Sequence, residues 1–470
     1  MCPVKTGERR VVDPVAPIRH SADNYPDKWS RCGRQQIARG CIPQSPALGA
    51  GDAMTAGKRS GARWSVAVLI AVAIAISYLD RQTLPWAIKS IQRDLPISNQ
   101  TKATLDSAFL VTYGLMYLGA GWLLDRIGTR RGFLLIMVFW SLACASHGIA
   151  GGVLALAASR LLLGAGEGGG FPAATRAVAE GFAPQQRASA MGIINAGTAV
   201  GGVIAPPLIA LILLHTGWFG IAGWRWVFFI TGGLGLVWAL WWWAFYHPPG
   251  DTIVDAPTTP APTLADLLRH REVIGLVFAK FLSDGAWYFY LFWLPKYLFE
   301  ARHFDLSQAA TIGWIPYAAS GLGSLCGGYL SSRLLGGGLS VNAARKIALG
   351  LSAALMPWVM LIPSVGSVAM VIFLFSLAFF GQQSWSTLVM TVPTDLVPQG
   401  ALGKLAGLVG LGGAFGGIAM GQAAGWALDH GYGYTPVLSV AATLHVLAFA
   451  LICITIPRVG QLDFHRKGMS

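Results

Sequence analysis

Gly121-Trp-Leu-Leu-Asp125-Arg126-Ile-Gly128-Thr-Arg130-Arg131 lies between two long apolar runs and is the most specific short pattern in the chain. Gly121 permits close approach of a neighbouring helix. Asp125 can cap a helix start or pair with arginines, and the basic cluster suits an anionic cytoplasmic leaflet. A plain basic turn would account for the charges but not for their partial recurrence. About 207 residues later the pattern returns as Gly328-Tyr-Leu-Ser-Ser332-Arg333, with Ser332 in the acidic place, and the same offset carries Trp64 onto Arg271. Two parallel copies of one helical unit, holding a ligand near the midplane, are a design of membrane transporters.

Outward from this motif the chain is a series of apolar stretches. A hydrocarbon core of about 30 Å needs about 20 apolar residues per helix. About twelve stretches qualify, near 64–84, 103–124, 132–150, 153–180, 187–214, 223–246, 272–299, 308–331, 345–363, 367–391, 402–428 and 434–456. The expected fold is an all-α membrane protein of twelve transmembrane helices in two pseudo-symmetric six-helix halves, 64–246 and 272–458. Residues 247–271 read as a cytoplasmic linker, spaced by Pro248, Pro249, Pro257, Pro260 and Pro262, with Thr263 and Asp266 as a capping box. Residues 459–470 read as a cytoplasmic tail and 1–63 as a disordered N-terminal segment. Met54 opens a basic lead into the first apolar run, so an upstream start extension over 1–53 is expected.

Composition supports this division. Only 12% of residues are charged, against about 25% in soluble proteins. With 54% hydrophobic residues and mean hydropathy +0.55, a soluble enzyme is excluded. The formal charge of +13 is spread among loops and the N-terminal segment, a topology pattern and not a nucleic-acid footprint. Of the six cysteines, Cys2, Cys32 and Cys41 precede the apolar region and Cys144, Cys326 and Cys453 are isolated within it, without metal-ligand spacing. With the N-terminus inside, about seventeen Lys and Arg fall in cytoplasmic segments. Only Lys89, Arg93, Lys102, Arg225, Lys296 and Arg302 fall outside. Both termini are expected in the cytoplasm, although the first outer loop is atypically basic.

Charges inside spans need a reason. Asp80 and Arg81 lie in span one, Arg160 and Glu167 two turns apart in span four, and Lys280 and Asp284 at i,i+4 in span seven. Interhelical ion pairs or snorkelling ends are the structural alternative. Functionally, a guanidinium fork facing a cavity suits a carboxylate, which makes Arg81 a clamp for an organic anion. Carboxyl groups between low dielectric and water can take up and release protons, a role for Asp80 and for Glu167, whose flanking glycines leave room for a cavity. Arg160 is expected to stabilise whichever carboxylate is ionised. Glu180 and Arg187 bracket the next inner loop, and with Asp125, Arg126, Arg130, Arg131 and the repeat's Arg333 they are candidates for a cytoplasmic gate. Tyr78, Tyr113, Trp287, Tyr288, Tyr290, Gln382, Gln383, Ser384, Trp385, Asn195 and Thr198 are mid-span groups able to meet hydroxyls or a sugar ring. Trp238 and Trp241 to Trp243 read as an interfacial belt.

The Gly121–Arg131 motif, Arg160-xxx-Gly164-x-Gly166 and the Gly-rich, Pro206-terminated fifth span resemble the major facilitator superfamily over about 64–458. Tyr78-Leu-Asp80-Arg81 and Gly164-Ala-Gly166-Glu167-Gly168 resemble its anion:cation symporter family. Lys280-Phe-Leu-Ser-Asp284, Trp287 to Tyr297 and Ala343-Ala-Arg345-Lys346 look like the hexuronate transporters. The resemblance implies Asp80 and Glu167 as proton-coupling carboxylates, Arg160 as modulator, Arg81 as the substrate-carboxylate ligand, and Tyr78 and Tyr113 as substrate contacts. Span eleven has no Asn between Lys404 and His430, and Thr198 stands where galactonate carriers place Gln, which disfavours galactonate.

The expectation is a secondary transporter of the inner membrane, not an enzyme, that imports a hexuronate such as glucuronate or galacturonate by proton symport with alternating access. Symport of another organic anion, an aldarate, aldonate or aromatic acid, is the alternative. A non-transporting membrane sensor is the alternative of another class. No ATP-binding motif, nucleophile elbow or metal spacing occurs, so no cofactor or metal is expected beyond the coupling proton. The expected partners are a small organic anion, protons and the lipid bilayer, with no nucleic acid, for a chain working as a monomer.

Overall fold

In lipid each backbone N–H and C=O must be satisfied within its own segment, so apolar stretches of this length fold as helices. The computed structural model describes residues 50–247 and 262–464, and among them there is no strand. The helices are α1 (Ala50–Asp94), α2 (Asn99–Ser146), α3 (Val153–Glu167), α4 (Gly170–Gly181), α5 (Pro184–His215), α6 (Gly223–Phe245), α7 (Leu264–Leu268), α8 (Arg271–Ala301), α9 (Leu306–Ile312), α10 (Ile315–Gly336), α11 (Val341–Ala354), α12 (Val368–Leu396), α13 (Gln399–Asp429) and α14 (Tyr434–Thr455). They make twelve crossings, because α2 holds two, α3 and α4 share one, α9 and α10 share one, and the five-residue α7 makes none. Among the described residues eight stretches are long and apolar enough to cross by length and composition alone.

The opening motif is the turn inside α2. Gly128 adopts φ 76°, ψ 164°, a conformation open to glycine, and splits α2 into two crossings. The close approach expected at Gly121 is not there: a Cβ on Gly121 would meet nothing within 4 Å. Close contacts sit elsewhere. Gly197 and Gly201 bring α5 onto the carbonyls of Ala71 and Ala75 in α1, and Gly416 brings α13 onto Phe281 O in α8.

α1 is helical from Ala50, earlier than expected at 64, and runs through Pro85 to Asp94. In the turns before Pro85 side chains add hydrogen bonds to carbonyls: Thr83 Oγ1 donates to Asp80 O at 2.6 Å and Gln82 Nε2 to Tyr78 O at 3.2 Å. The Thr263–Asp266 capping box is present at α7. The expectations for residues 1–49, including Cys2, Cys32 and Cys41, for the prolines up to Pro260, and for 465–470 lie outside the described residues.

Two sets of helices pack within themselves. α2 packs on α3 and α6, and α5 on α6; α8 packs on α13 and α14, and α12 on α10 and α11. The halves meet where α2 crosses α13 and where α5 crosses α9 and α10. The tryptophan belt divides. Trp241 and Trp243 are exposed, whereas Trp238 and Trp242, one turn apart on the other face of α6, are buried. Their indole nitrogens donate to Leu69 O at 2.8 Å and Arg130 O at 2.9 Å. Two supposed loop charges are likewise interior: Lys102 in α2 is 0% exposed and Lys296 in α8 is 2% exposed.

Candidate functional site

At one end the halves are tied together. Asn99 N and Nδ2 donate to Asp429 Oδ1 at 3.0 and 2.8 Å, Gln100 N donates to Asp429 Oδ2 at 2.8 Å, and Gln422 Nε2 donates to Ser107 Oγ at 2.8 Å. Trp86 stands edge-on to Phe299 at 5.9 Å. Away from this end a cavity of about 910 Å³ lies between the halves. It runs from Arg81 and Asp284 past Phe171, Met191 and Thr391 to exposed Thr175, on the side of the Gly121–Arg131 motif. Its volume suits a small organic molecule.

Arg81 lines this cavity from α1. Its Nε and Nη2 donate to Glu167 Oε2 at 3.2 and 2.9 Å, and Ser77 Oγ, one turn earlier, donates to the same oxygen at 2.7 Å. The guanidinium carbon lies 4.5 Å from the Tyr78 ring centre, 5.0 Å from that of Tyr113 and 5.6 Å from that of Phe109. Arg81 is thus a cation held on aromatic faces, with a carboxylate behind it. Glu167 itself does not line the cavity. Its flanking glycines do the reverse of what the sequence suggested: Gly164 sits against Phe109 O and Gly166 against Trp140, so they bring α3 onto α2 and leave no space.

Asp80, next in sequence, points elsewhere, since adjacent helical residues are about 100° apart. It is 0% exposed and its oxygens have no hydrogen-bond partner; Trp140, Cys144 and Thr231 are its polar neighbours. Arg160 is also fully buried, with no hydrogen-bond partner on any guanidinium nitrogen and its carbon 6.0 Å from the Phe109 ring centre. The cation that holds Glu167 is therefore Arg81, not Arg160, which sits within the electrostatic reach of Asp106, Glu167 and Asp80.

The other half offers a second pair to the same cavity. Lys280 Nζ lies 2.9 Å from Asp284 Oδ1 and donates to Ser386 Oγ at 3.2 Å. Trp287, Tyr288, Gln383, Asn195 and Thr198 also line the cavity. Gln382, Ser384, Trp385 and Tyr290 do not. Trp385 is 0% exposed and stands edge-on to His445 at 5.6 Å, inside its own half. The helical period explains this: Gln383, Ser386, Thr387 and Met390 share the cavity face of α12, and a residue two positions from Gln383 faces away.

At the open end the charges form a hub on Glu180. Arg176 Nε donates to Glu180 Oε1 at 2.9 Å and Thr129 Oγ1 to the same oxygen at 2.7 Å, while Arg176 Nη1 pairs with Asp125. Tyr246 OH donates to Glu180 Oε2 at 3.4 Å. Arg187 does not join; it donates to the carbonyls of Phe182 and Ala179. Arg126 and Arg130 lie over Trp122 and Trp243, and Arg333 donates to Tyr329 OH at 3.0 Å. The counterpart in the second half is Arg345, which donates to Asp395 Oδ2 at 3.0 Å and Ser331 Oγ at 2.8 Å. Arg131 has no contact that enters this hub. Sequence reasoning missed Arg176, Ser77 and the Arg345–Asp395 pair, although Arg176–Glu180 and Ser77–Arg81 carry the same i,i+4 signal used for Lys280 and Asp284.

Residues 70–421 match the family model described as Major Facilitator Superfamily. The chain belongs to the Major Facilitator Superfamily. As a member of this superfamily it is a membrane transporter fold and not an enzyme. A D-galactonate transporter of Escherichia coli O6:H1 is 29% identical over 434 residues, 87% of this chain and 99% of that one. A hexuronate transporter of Escherichia coli K12 is 29% identical over 416 residues, 84% and 94% of the two chains. Overall similarity therefore gives no support to the exclusion of galactonate. Among solved structures, a bacterial homolog to the human lysosomal transporter Spinster, inward-facing and occupied, shares the fold with TM-score 0.67 at 19% identity, covering 84% of this chain and 96% of that one.

Proposed function

We propose that this chain imports a sugar acid, a hexuronate first of all, by proton symport across the inner membrane, with the cavity facing the cytoplasm and both termini inside. The observation that carries the reading is the Arg81–Glu167 pair at the wall of the cavity. While Glu167 is ionised it engages Arg81; a proton on Glu167 weakens the pair and leaves the guanidinium to bind a substrate carboxylate. Asp80 serves as a second proton carrier within the first half, Arg160 as the fixed positive charge between the two carboxylates. Tyr78, Tyr113, Asn195, Thr198, Gln383, Lys280 and Asp284 meet the sugar hydroxyls. The similarity to carriers named for hexuronate and D-galactonate supports the substrate class.

Uptake of labelled D-glucuronate into proteoliposomes, with and without an inward proton gradient, tests this. Accumulation that collapses with the gradient is expected; accumulation that persists without it overturns proton coupling. If D-galactonate accumulates and neither hexuronate does, the aldonate alternative replaces the hexuronate reading.

A further inference from the structure

The positive charges at the closed end have no role in topology or in the Arg81 site. Lys102 and Lys296 are buried amines on opposite halves, at the end where topology disfavours Lys and Arg. Solvating them would cost nothing and burying them does, so their placement needs a reason. Each carries its own carboxylate one turn later: Lys102 Nζ donates to Asp106 Oδ2 at 2.6 Å, and Lys296 pairs with Glu300. Across the interface Lys102 Nζ sits 4.3 Å from the ring centre of Trp293, which belongs to the other half. Lys102 and Lys296 lie within each other's field. The remaining oxygen of Asp106, Oδ1, is buried without a partner.

We propose that Lys102 and Lys296 form a second anion site, which loads an organic carboxylate from the opposite face when the closed end parts. In the closed arrangement each amine is neutralised within its own helix and Lys102 is capped by Trp293. Separation of the halves breaks the cation–π contact, because its two members ride on different halves. Water then reaches both amines, which lie within each other's field and stay paired with Asp106 and Glu300 on their own helices. A carboxylate entering there is attracted by both amines at once, whereas Asp106 and Glu300 each hold only one of them. The site is distinct from Arg81, which lines the cavity, and it gives a use to two of the basic residues expected outside, Lys102 and Lys296.

This inference rests on the transport reading, and the test separates the two. Uptake of labelled D-glucuronate is measured in intact cells, where the label meets only the outer face, and in inside-out vesicles, where it meets the other. The paired variants Lys102→Gln with Asp106→Asn and Lys296→Gln with Glu300→Gln remove charge from either half without leaving an unpaired ion. Each is expected to raise KM in cells about tenfold, equivalent to ~1.4 kcal/mol, with KM in inside-out vesicles unchanged, and Lys102→Arg is expected to keep wild-type KM. A changed maximum rate with unchanged KM in cells would make these residues a mechanical latch and overturn the loading site. An equal rise on both faces would overturn it too. A wild-type chain inert towards every organic anion would overturn the transport reading and this inference with it. Should one paired variant fail to fold, the other still decides the matter.

Discussion

Arg81 gives both Nε and Nη2 to a single oxygen of Glu167, Oε2, while Oε1 of the same buried carboxylate has no hydrogen-bond partner. The pair is therefore one-oxygen and not the parallel fork that holds most tightly. Glu167→Gln should leave Arg81 able to bind substrate, so counterflow persists while accumulation is lost. One unit of pH gradient, about 1.4 kcal/mol per proton, sustains about a tenfold ratio. The variant should show a ratio near one. Loss of counterflow as well would make Glu167 structural.

Asp80→Asn should behave in the same way, because the side chain faces neither the cavity nor Arg81. Binding of D-glucuronate to the purified variant, read by calorimetry, is expected within about twofold of wild type, a difference of roughly 0.4 kcal/mol. A larger loss would assign Asp80 to the substrate instead of the proton.

Lys280 and Asp284 form a buried pair at the cavity wall. Asp284→Asn should lower the melting temperature in detergent by leaving Lys280 uncompensated. Its cost should fall short of the roughly 3–5 kcal/mol for a fully enclosed pair, because cavity water can reach the amine. Lys280→Met combined with Asp284→Leu should recover most of it. Failure of the double variant to recover would mean that the two residues do not act as a pair.

At the open end Glu180, with three donors around it, should matter more than Asp125, whose partner is Arg176 alone. Glu180→Gln is expected to slow uptake more than Asp125→Asn. Asp125→Lys, which sets a cation beside Arg176, should slow it further still. Wild-type uptake in Asp125→Lys would remove this cluster from the gate.

Trp385→Phe should leave the KM for D-glucuronate unchanged, whereas Gln383→Ala raises it, since only Gln383 reaches the cavity. The reverse order in uptake assays would place the binding face of α12 on its other side.

Much of this architecture is legible in the sequence because lipid imposes a length and a charge rule on every crossing. Apolar stretches mark the helices, and the Thr263–Asp266 spacing marks the capping box that α7 has. Side-chain direction was less legible. Gln383 and Trp385, or Asp80 and Arg81, look equivalent when grouped by depth, yet the helical period sends them to different surroundings. Lys102 and Lys296 were misplaced for another reason: charge counting treats every Lys near a helix end as solvated. Their i+4 carboxylates, Asp106 and Glu300, were the signal that these amines are paired within the helix. The glycines around Glu167 marked proximity, and only the packing decides whether proximity makes a void or a contact.

The first crossing of α2 runs unbroken from Lys102 past Phe109 and Tyr113 to Asp125, with its break only at Gly128. At 1.5 Å per residue that stiff rod is roughly 35 Å long. Tilting it about 10° around the middle carries its two ends roughly 3 Å in opposite directions. One rigid lever thus bears the amine at the closed end, the aromatic faces beneath Arg81 near its fulcrum and the acid at the open end. A protein built so needs no relay of small shifts between its two faces, because a single piece of backbone already reaches both.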